Sequence, residues 1–310
     1  MSTPNRLSAA VIGGGFIGRH LIRKLLAHGM HVRVLDRNDC PQEFAGKVEW
    51  AKANYHDGAA LLGVLQGANI AYHLVSSTVP GDQHVDVAQE LHDNVIGSLR
   101  VAQSCIDCSV GRLVFASSAS VYGLQEHFPI PESAATWPIS AHGIHKLTIE
   151  KFLWLSHREH GLDVRIVRLA NPYGPGQNLT GRQGFVAIAI GCLVRDEPLV
   201  VRDQSVIRDF VYVEDVAEAM TLAGVATVAP RVVNVGSGRG ASLSDALNMI
   251  EELSGRTLQL QPVPPRRVDI PVSVLDISLA QAQLGFKPAV DLRCGISQTL
   301  RAAGIEVVGN

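Results

Sequence analysis

The stretch Ala9-Ala10-Val11-Ile12-Gly13-Gly14-Gly15-Phe16-Ile17-Gly18, running on into Arg19-His20-Leu21-Ile22, decides the fold. A short apolar run ends in three glycines, and a helical pattern starts directly behind them. Gly13-x-Gly15-x-x-Gly18 permits a tight turn, close approach of a pyrophosphate to the backbone, and close packing of helix on strand. The phosphates then face a helix N-terminus, whose free N–H groups and dipole favour anions. Gly13, Gly15, Phe16, Ile17 and Gly18 are therefore the predicted phosphate-side contacts. A glycine turn without a ligand reads the same in isolation, so the context decides. His31–Leu35 is a candidate second strand, and Asp36 ends it. A carboxylate at that distance from the glycines accepts hydrogen bonds from the adenosine ribose hydroxyls. It also repels a 2′-phosphate, which favours NAD over NADP. Arg37, next in the chain, pulls slightly the other way.

Further candidate strands are Ile70–Leu74, Leu113–Ser117 and Val164–Arg168. Ile17–His28, Ala59–Gln66, Asp86–Cys108 and Ala141–His160 carry helical patterns. Alternating strands and helices imply a parallel sheet covered on both faces. Right-handed crossovers make it a doubly wound α/β fold. After Asn171 the pattern changes. Gly174-Pro175-Gly176 breaks regular structure. Phe185–Arg195 predicts a helix, and Arg208–Val213 and Val232–Val235 predict strands, the latter followed by the loop Gly236–Gly240. Pro262–Pro271 holds four prolines and is expected to be largely irregular. This smaller, loop-rich half is expected over the carboxyl ends of the strands, where such sheets bind ligands.

Composition supports one or two ordinary globular domains. The 310 residues carry 27 Lys and Arg against 29 Asp and Glu, a net charge of −2. Apolar residues make up 46%, which excludes a disordered chain. Near-neutrality gives no basic surface for nucleic acid. No apolar run approaches a membrane span, and the opening segment MSTPNRLSAAVIGGG lacks the pattern of a cleavable leader. The five cysteines are odd in number and scattered, which suits free thiols in a cytoplasmic, reducing compartment. Cys105-Ile-Asp-Cys108 has redox spacing but sits in a helical pattern with no second pair, so buried thiols are expected. The twelve histidines form no His-Glu-x-x-His or comparable set, so no metal is assigned from the sequence.

The chemistry lies in Phe115-Ala-Ser-Ser118-Ala-Ser-Val-Tyr-Gly123, in Lys146 on the following helix, in Arg168-Leu-Ala-Asn171-Pro-Tyr-Gly-Pro175, in Arg208-Asp-Phe-Val-Tyr-Val-Glu-Asp215 and in Arg266-Arg-Val-Asp269. In this order and spacing the chain resembles the extended short-chain dehydrogenase/reductases, most closely their NAD-dependent nucleotide-sugar epimerase/dehydratase branch. The resemblance runs from Ala9 to Asn310. It implies a Rossmann NAD-binding domain over residues 1–170 and 206–236. It also implies a smaller C-terminal nucleotide-sugar-binding domain over 171–205 and 237–310.

That family works with a Ser or Thr, a Tyr and a Lys. Ser118 matches the first and implies a hydrogen bond to the reacting sugar oxygen. Lys146 matches the last and implies a grip on the nicotinamide ribose. The tyrosine is missing: the segment reads His142-Gly-Ile-His-Lys146, with His142 in its register. Three readings follow. His142 is the base, since an imidazole accepts a proton at neutral pH and Lys146 keeps it uncharged. Alternatively another group, such as His145 or a water, takes over. In the third reading catalysis is lost and binding remains.

The resemblance implies further contacts. Asn54, Tyr55, His56 and Asp57 lie in the loop that meets adenine, with Asn54 where many relatives carry Asp. Leu74 and Ser76 fall on the cofactor side, Ser77 and Thr78 on the sugar side, and Asn94 near the nicotinamide. Ser120, Asn171, Arg208, Arg266 and Asp269 are implied on the substrate side, the arginines because a planar fork pairs with phosphate oxygens. Ion pairing of Arg208 with Asp209 or Asp215 is the purely structural alternative.

A dehydratase of the family carries an acid–base pair after its Ser or Thr. Ala119 and Ser120 stand there and can do no proton work at neutral pH. Asp36 argues against a net reductase that consumes NADPH. The expectation is a UDP- or dTDP-hexose 4-epimerase serving surface-polysaccharide synthesis. The alternatives are a 4-keto-sugar reductase and a non-catalytic NAD or nucleotide-sugar binder. Helices Asp86–Cys108 and Ala141–His160 resemble those that pair in family dimers, so a homodimer is expected.

Overall fold

In the computed structural model, residues 6–76, 86–181, 183–264 and 269–308 are described. The chain opens with β1 (Ser8–Ile12), α1 (Phe16–Ala27), β2 (His31–Asp36), β3 (Glu49–Lys52), α2 (Gly58–Leu65) and β4 (Ile70–His73). Next come α3 (Val87–Leu91), a π-helical turn at His92–Ile96, and α4 (Gly97–Asp107). They are followed by β5 (Arg112–Ser118), a 3-10 turn at Ala119–Tyr122, α5 (Ala141–His160) and β6 (Asp163–Leu169). The second half runs through β7 (Asn171–Tyr173), α6 (Phe185–Arg195), β8 (Leu199–Val201), β9 (Ile207–Tyr212), α7 (Val213–Val225) and β10 (Val232–Val235). It ends with β11 (Gly240–Ser242), α8 (Leu243–Ser254), β12 (Leu260–Pro262), β13 (Val272–Ser273), α9 (Ser278–Leu284) and α10 (Leu292–Ala302).

Seven parallel strands form the main sheet in the order β10-β6-β5-β4-β1-β2-β3. β4 (Ile-Ala-Tyr-His) is buried throughout, as a central parallel strand covered on both faces must be. One face packs on α1 and α7, with Leu21, Ile22, Leu25, Val216, Ala217 and Met220 in its core. The other packs on α2, α4 and α5, through Leu61, Val101, Cys105, Ile149 and Leu153. This is the doubly wound fold expected from the sequence. The strand order reverses between β1 and β4, so the crevice that binds ligands in such sheets opens beside Gly13.

A second sheet crosses over the carboxyl ends. β9 pairs antiparallel with β11 and parallel with β7 and β13. Its core, with Tyr173, Ile190, Phe210, Leu247 and Ile296, sits between α6, α8 and α10. Within the stretch Arg208–Val235, where the chain is expected to return to the main sheet, β9 belongs to the second sheet. The return is made by α7 and β10, whose apolar residues face the first core. An isolated strand pattern reports burial but not which sheet edge receives it.

Helix ends follow local chemistry. Asp57 caps α2 by accepting from the Ala59 and Ala60 amides at 3.0 and 3.1 Å. Ser242 and Asp245 form a reciprocal capping box on α8. The single helix expected over Asp86–Cys108 is interrupted by the π turn. There the Asn94 amide donates to the Glu90 carbonyl at 2.9 Å, and the Ser98 hydroxyl donates to the Asn94 carbonyl at 2.5 Å. Such turns are often functional. Among the described residues no helix is long and apolar enough to cross a membrane.

Candidate active site

The phosphate turn has the geometry that its glycines imply. Gly13 has φ +105°, and a Cβ on Gly18 would strike the Gly13 carbonyl oxygen. Gly15 is the N-cap of α1, and the first turn of that helix carries no acid. Its free amides are thus available to an anion without a competing carboxylate. The Asp36 carboxylate closes the turn: it accepts from the Gly14 amide at 2.7 Å. Its second oxygen accepts from the Asn38 backbone and side-chain amides at 2.8 and 2.9 Å. Arg37 is exposed beside it. The residues present therefore fit a dinucleotide.

Around this turn, Leu74 is partly buried and Ser76 exposed. Asn54 is exposed and its side-chain oxygen accepts from the His56 amide at 3.0 Å. Tyr55 lies partly buried, its phenol pushed up to about 12 by burial and by Asp93. Asn94 is buried in the π turn. Ser77, Thr78 and Arg266 lie outside the described residues.

Ser118 ends β5 and caps the 3-10 turn. Its oxygen accepts from the Ser120 amide at 3.2 Å and from the Ser120 hydroxyl at 2.9 Å. The N-terminal end of α5 packs on this same turn, which brings His142 and Lys146 to the carboxyl end of β5. Lys146 is buried; its ammonium donates to the Ala116 carbonyl at 2.8 Å and sits 4.7 Å above the Phe115 ring. Burial pushes it down to about 8, while Glu150, one turn further along the helix, pulls it up.

His142 is half-buried, and among the described residues its Nδ1 has no hydrogen-bond partner. Burial, then Lys146 and His145, push it down to about 3, so it is neutral across the physiological range. His145 is buried; burial lowers it and Glu90 opposes.

Sequence reasoning missed His73 and Glu150. His73 closes β4, fully buried, with Nε2 2.8 Å from the Ser98 hydroxyl. That hydroxyl already donates to Asn94, so Nε2–H must be the donor to it. Burial and Lys146 hold His73 down to about 3. Glu150 accepts from the Ser117 hydroxyl at 2.5 Å and from Arg168 through both carboxylate oxygens, at 2.7 and 3.1 Å. Arg168 also donates to the Tyr122 hydroxyl at 3.0 Å, which donates to Asn234 at 2.6 Å. A buried chain thus runs behind the Ser118 turn and locks β5, β6, β10 and α5 together. Glu150 stands one helical turn from Lys146, a spacing that could have flagged it.

On the sugar side, the Asn171 amide donates to the Asp209 carbonyl at 3.2 Å. Asp209 does not pair with Arg208. Its carboxylate is completely buried and accepts from the Ser237 amide and hydroxyl and from the Gly238 and Leu275 amides. Asp215 accepts from the Ala289 and Val290 amides at 3.0 and 3.1 Å. Both acids therefore staple loops. Arg208 donates to the Ile207 carbonyl at 2.9 Å; burial lowers its proton affinity and nearby Asp269 raises it.

Known proteins are similar to this chain over almost its whole length. A UDP-glucose 4-epimerase of Mycolicibacterium smegmatis is 32% identical over 297 residues, covering 92% of this chain and 95% of its own. The crystal structure of a UDP-glucose 4-epimerase with UDP-glucose from Thermotoga maritima superimposes with a TM-score of 0.89 at 31% identity, over 96% of this chain and 99% of that one. A Thermus thermophilus UDP-glucose 4-epimerase in complex with NAD gives 0.87 at 28% identity, over 96% and 98%. The sequence model of one family matches residues 9–236. The chain belongs to the NAD dependent epimerase/dehydratase family.

Proposed function

We propose that this protein is an NAD-dependent 4-epimerase of UDP- or dTDP-hexoses, with His142 as its proton acceptor. The observation that carries the reading is the Ser118 turn. Ser118 and Lys146 are present, yet Ala119 and Ser120 occupy the places where an elimination needs acid and base. The Ser120 hydroxyl is spent on Ser118. What remains suffices for one proton and one hydride, which is all that epimerisation at C4 needs.

When bound, NAD supplies hydride acceptance from C4 and hydride return to the opposite face. The chain's own residues do the rest. The Ser118 hydroxyl holds O4 of the sugar. The neutral His142 imidazole takes the O4 proton as C4 becomes a ketone, and gives it back after the 4-keto sugar has turned over. Lys146 holds the dinucleotide ribose, and together with burial it lowers the proton affinity of His142 and keeps the free imidazole uncharged. Asn171, Arg208 and Arg266 form the diphosphate side, Asp269 belongs to the rest of the substrate site, and Ser77 and Thr78 form the sugar loop. Gly13 to Gly18, Asp36, Asn54, Tyr55, Leu74, Ser76 and Asn94 hold the dinucleotide. The division of labour follows the layers, with the main sheet for the dinucleotide and the second sheet with its helices for the sugar.

The same reading places the enzyme in the cytoplasm, supplying sugars for surface polysaccharide. All five cysteines are free thiols, which suits a reducing compartment. It acts as a homodimer through α4 and α5, the latter leaving apolar area exposed at Ile144, Phe152, Trp154 and Leu155. Incubation with UDP-glucose, UDP-GlcNAc and dTDP-rhamnose, followed by separation of the products, tests the reading. A C4 epimer from at least one of them is the expected result. No turnover of any of the three, with NAD bound, overturns it in favour of a binding protein.

A further inference from the structure

His56 follows β3, and His92 and Asp93 stand on the π turn. The fold brings one donor atom of each within 4.8 Å of the others. His56 Nε2 lies 3.7 Å and His92 Nδ1 3.5 Å from Asp93 Oδ1. An ion bound tetrahedrally at about 2.0–2.1 Å separates its ligand atoms by about 3.3 Å. Asp93 Oδ1 therefore needs to approach each imidazole by only a few tenths of an ångström, and the two imidazole nitrogens, within 4.8 Å of each other, close by a side-chain rotation.

Three observations mark this as more than a surface ion pair. Both ring nitrogens of His56 are shielded from solvent and have no hydrogen-bond partner among the described residues, an uncommon state for buried nitrogens. The ring is also held in place. The His56 amide donates to Asn54 at 3.0 Å, and α4 approaches so closely at Gly97 that a Cβ there would strike both Tyr55 and His56. Finally, the Asp93 carboxylate is oriented by the Gln89 amide at 2.7 Å, the kind of outer hydrogen bond that steadies metal ligands. The His56 and His92 rings stack at 5.3 Å, with planes 17° apart. The side chains of His92 and Asp93 are 49% and 36% exposed, which leaves a way in from solvent.

We propose that His56, His92 and Asp93 form a binding site for a borderline divalent transition ion of the zinc class, completed by water. Two imidazoles with one carboxylate select such ions over magnesium or calcium, which prefer oxygen. The site is assembled from elements far apart in sequence, so no spacing motif announces it. A bound ion ties the loop after β3 to the turn that carries Asn94. The site lies outside the proposed catalytic group and acts on that group only through the cofactor side.

The test is Zn²⁺ binding to the untagged protein, in competition with a chromophoric chelator, with Co²⁺ absorption as a second readout. The expected result is one tight equivalent per chain and visible Co²⁺ bands. His92→Gln, on an exposed face, is expected to weaken binding at least tenfold while the unfolding temperature stays unchanged, and His56→Gln to do the same. Absence of binding to the wild type overturns the proposal. Undiminished affinity in His92→Gln overturns it too, since the ion is then held elsewhere, for instance by thiols. Should His56→Gln fold poorly, His92→Gln decides alone.

Discussion

His142 and Lys146 lie one turn apart on the same face of α5, and the buried ammonium of Lys146 helps to hold the imidazole of His142 neutral. In the register where the family resemblance implies a tyrosine, this chain carries an uncharged imidazole. The proposed mechanism follows from that pair.

His142, together with the buried His73, sets the acid limit of stability. His73 and His142 are both held down to about 3, against about 6.5 in an unfolded chain. Below pH 6.5 the unfolded state therefore binds protons that the native state refuses, and stability falls as pH falls. Each histidine contributes a slope of about 1.4 kcal/mol per pH unit between those limits. Denaturant unfolding at pH 7, 6 and 5 is expected to show this decline, and His142→Phe to remove about half of it. A stability flat from pH 7 to pH 5 contradicts the assignment.

Lys146 gives the same sign in a higher pH window. Burial lowers it to about 8, below its unfolded value near 10.4, so keeping the charge costs the native state stability. That cost is full below pH 8 and disappears as pH rises toward 10.4. Lys146→Met is therefore expected to abolish turnover and weaken dinucleotide binding at pH 7 without lowering the unfolding temperature. Dinucleotide affinity of the wild type should fall as pH rises through about 8, which a binding titration from pH 7 to pH 9.5 checks.

Glu150 and Arg168 behave differently because both are buried and each satisfies the other. Their side chains are 4% and 6% exposed. Removing one partner leaves a buried charge uncompensated, which costs roughly 3–5 kcal/mol. Glu150→Gln is expected to show that loss in denaturant unfolding. Tyr122→Phe, which removes only the hydroxyl bridging Arg168 and Asn234, should lose about 1–3 kcal/mol.

How much of this was legible in the sequence depends on distance along the chain. The turn Gly13 to Gly18 and Asp36 are read locally, because one strand, one turn and the next strand end build the site. Ser118, Lys146 and Asn171 follow from the resemblance. The link from Glu150 through Arg168 and Tyr122 to Asn234 could not be read, since each partner comes from a different element and polar residues in strands do not announce their acceptors. The pattern of Ile207–Tyr212 predicts a strand but does not say which sheet it joins. The π turn stayed hidden because a single inserted residue barely disturbs a helical pattern.

Arg208 tests the substrate side. The carboxylates of Asp209 and Asp215 are taken up by backbone amides and Ser237, so Arg208 is not needed to neutralise them. Arg208→Met is expected to raise KM for the nucleotide sugar at least tenfold, with kcat and unfolding temperature changed little. Steady-state kinetics at saturating NAD measure both parameters. An unchanged KM removes Arg208 from the diphosphate site.

The central claim is that His142 takes and returns the sugar proton. It is tested most directly by the epimerisation rate of His142→Phe with NAD and the nucleotide sugar both at saturation. The substitution keeps the ring bulk and removes the nitrogens, and dinucleotide binding is measured on the same sample. A loss of about 10²–10⁴ in kcat with dinucleotide affinity retained is the predicted result, the range expected for a general base. A rate equal to the wild type's would contradict the account and pass the role to His145 or a bound water.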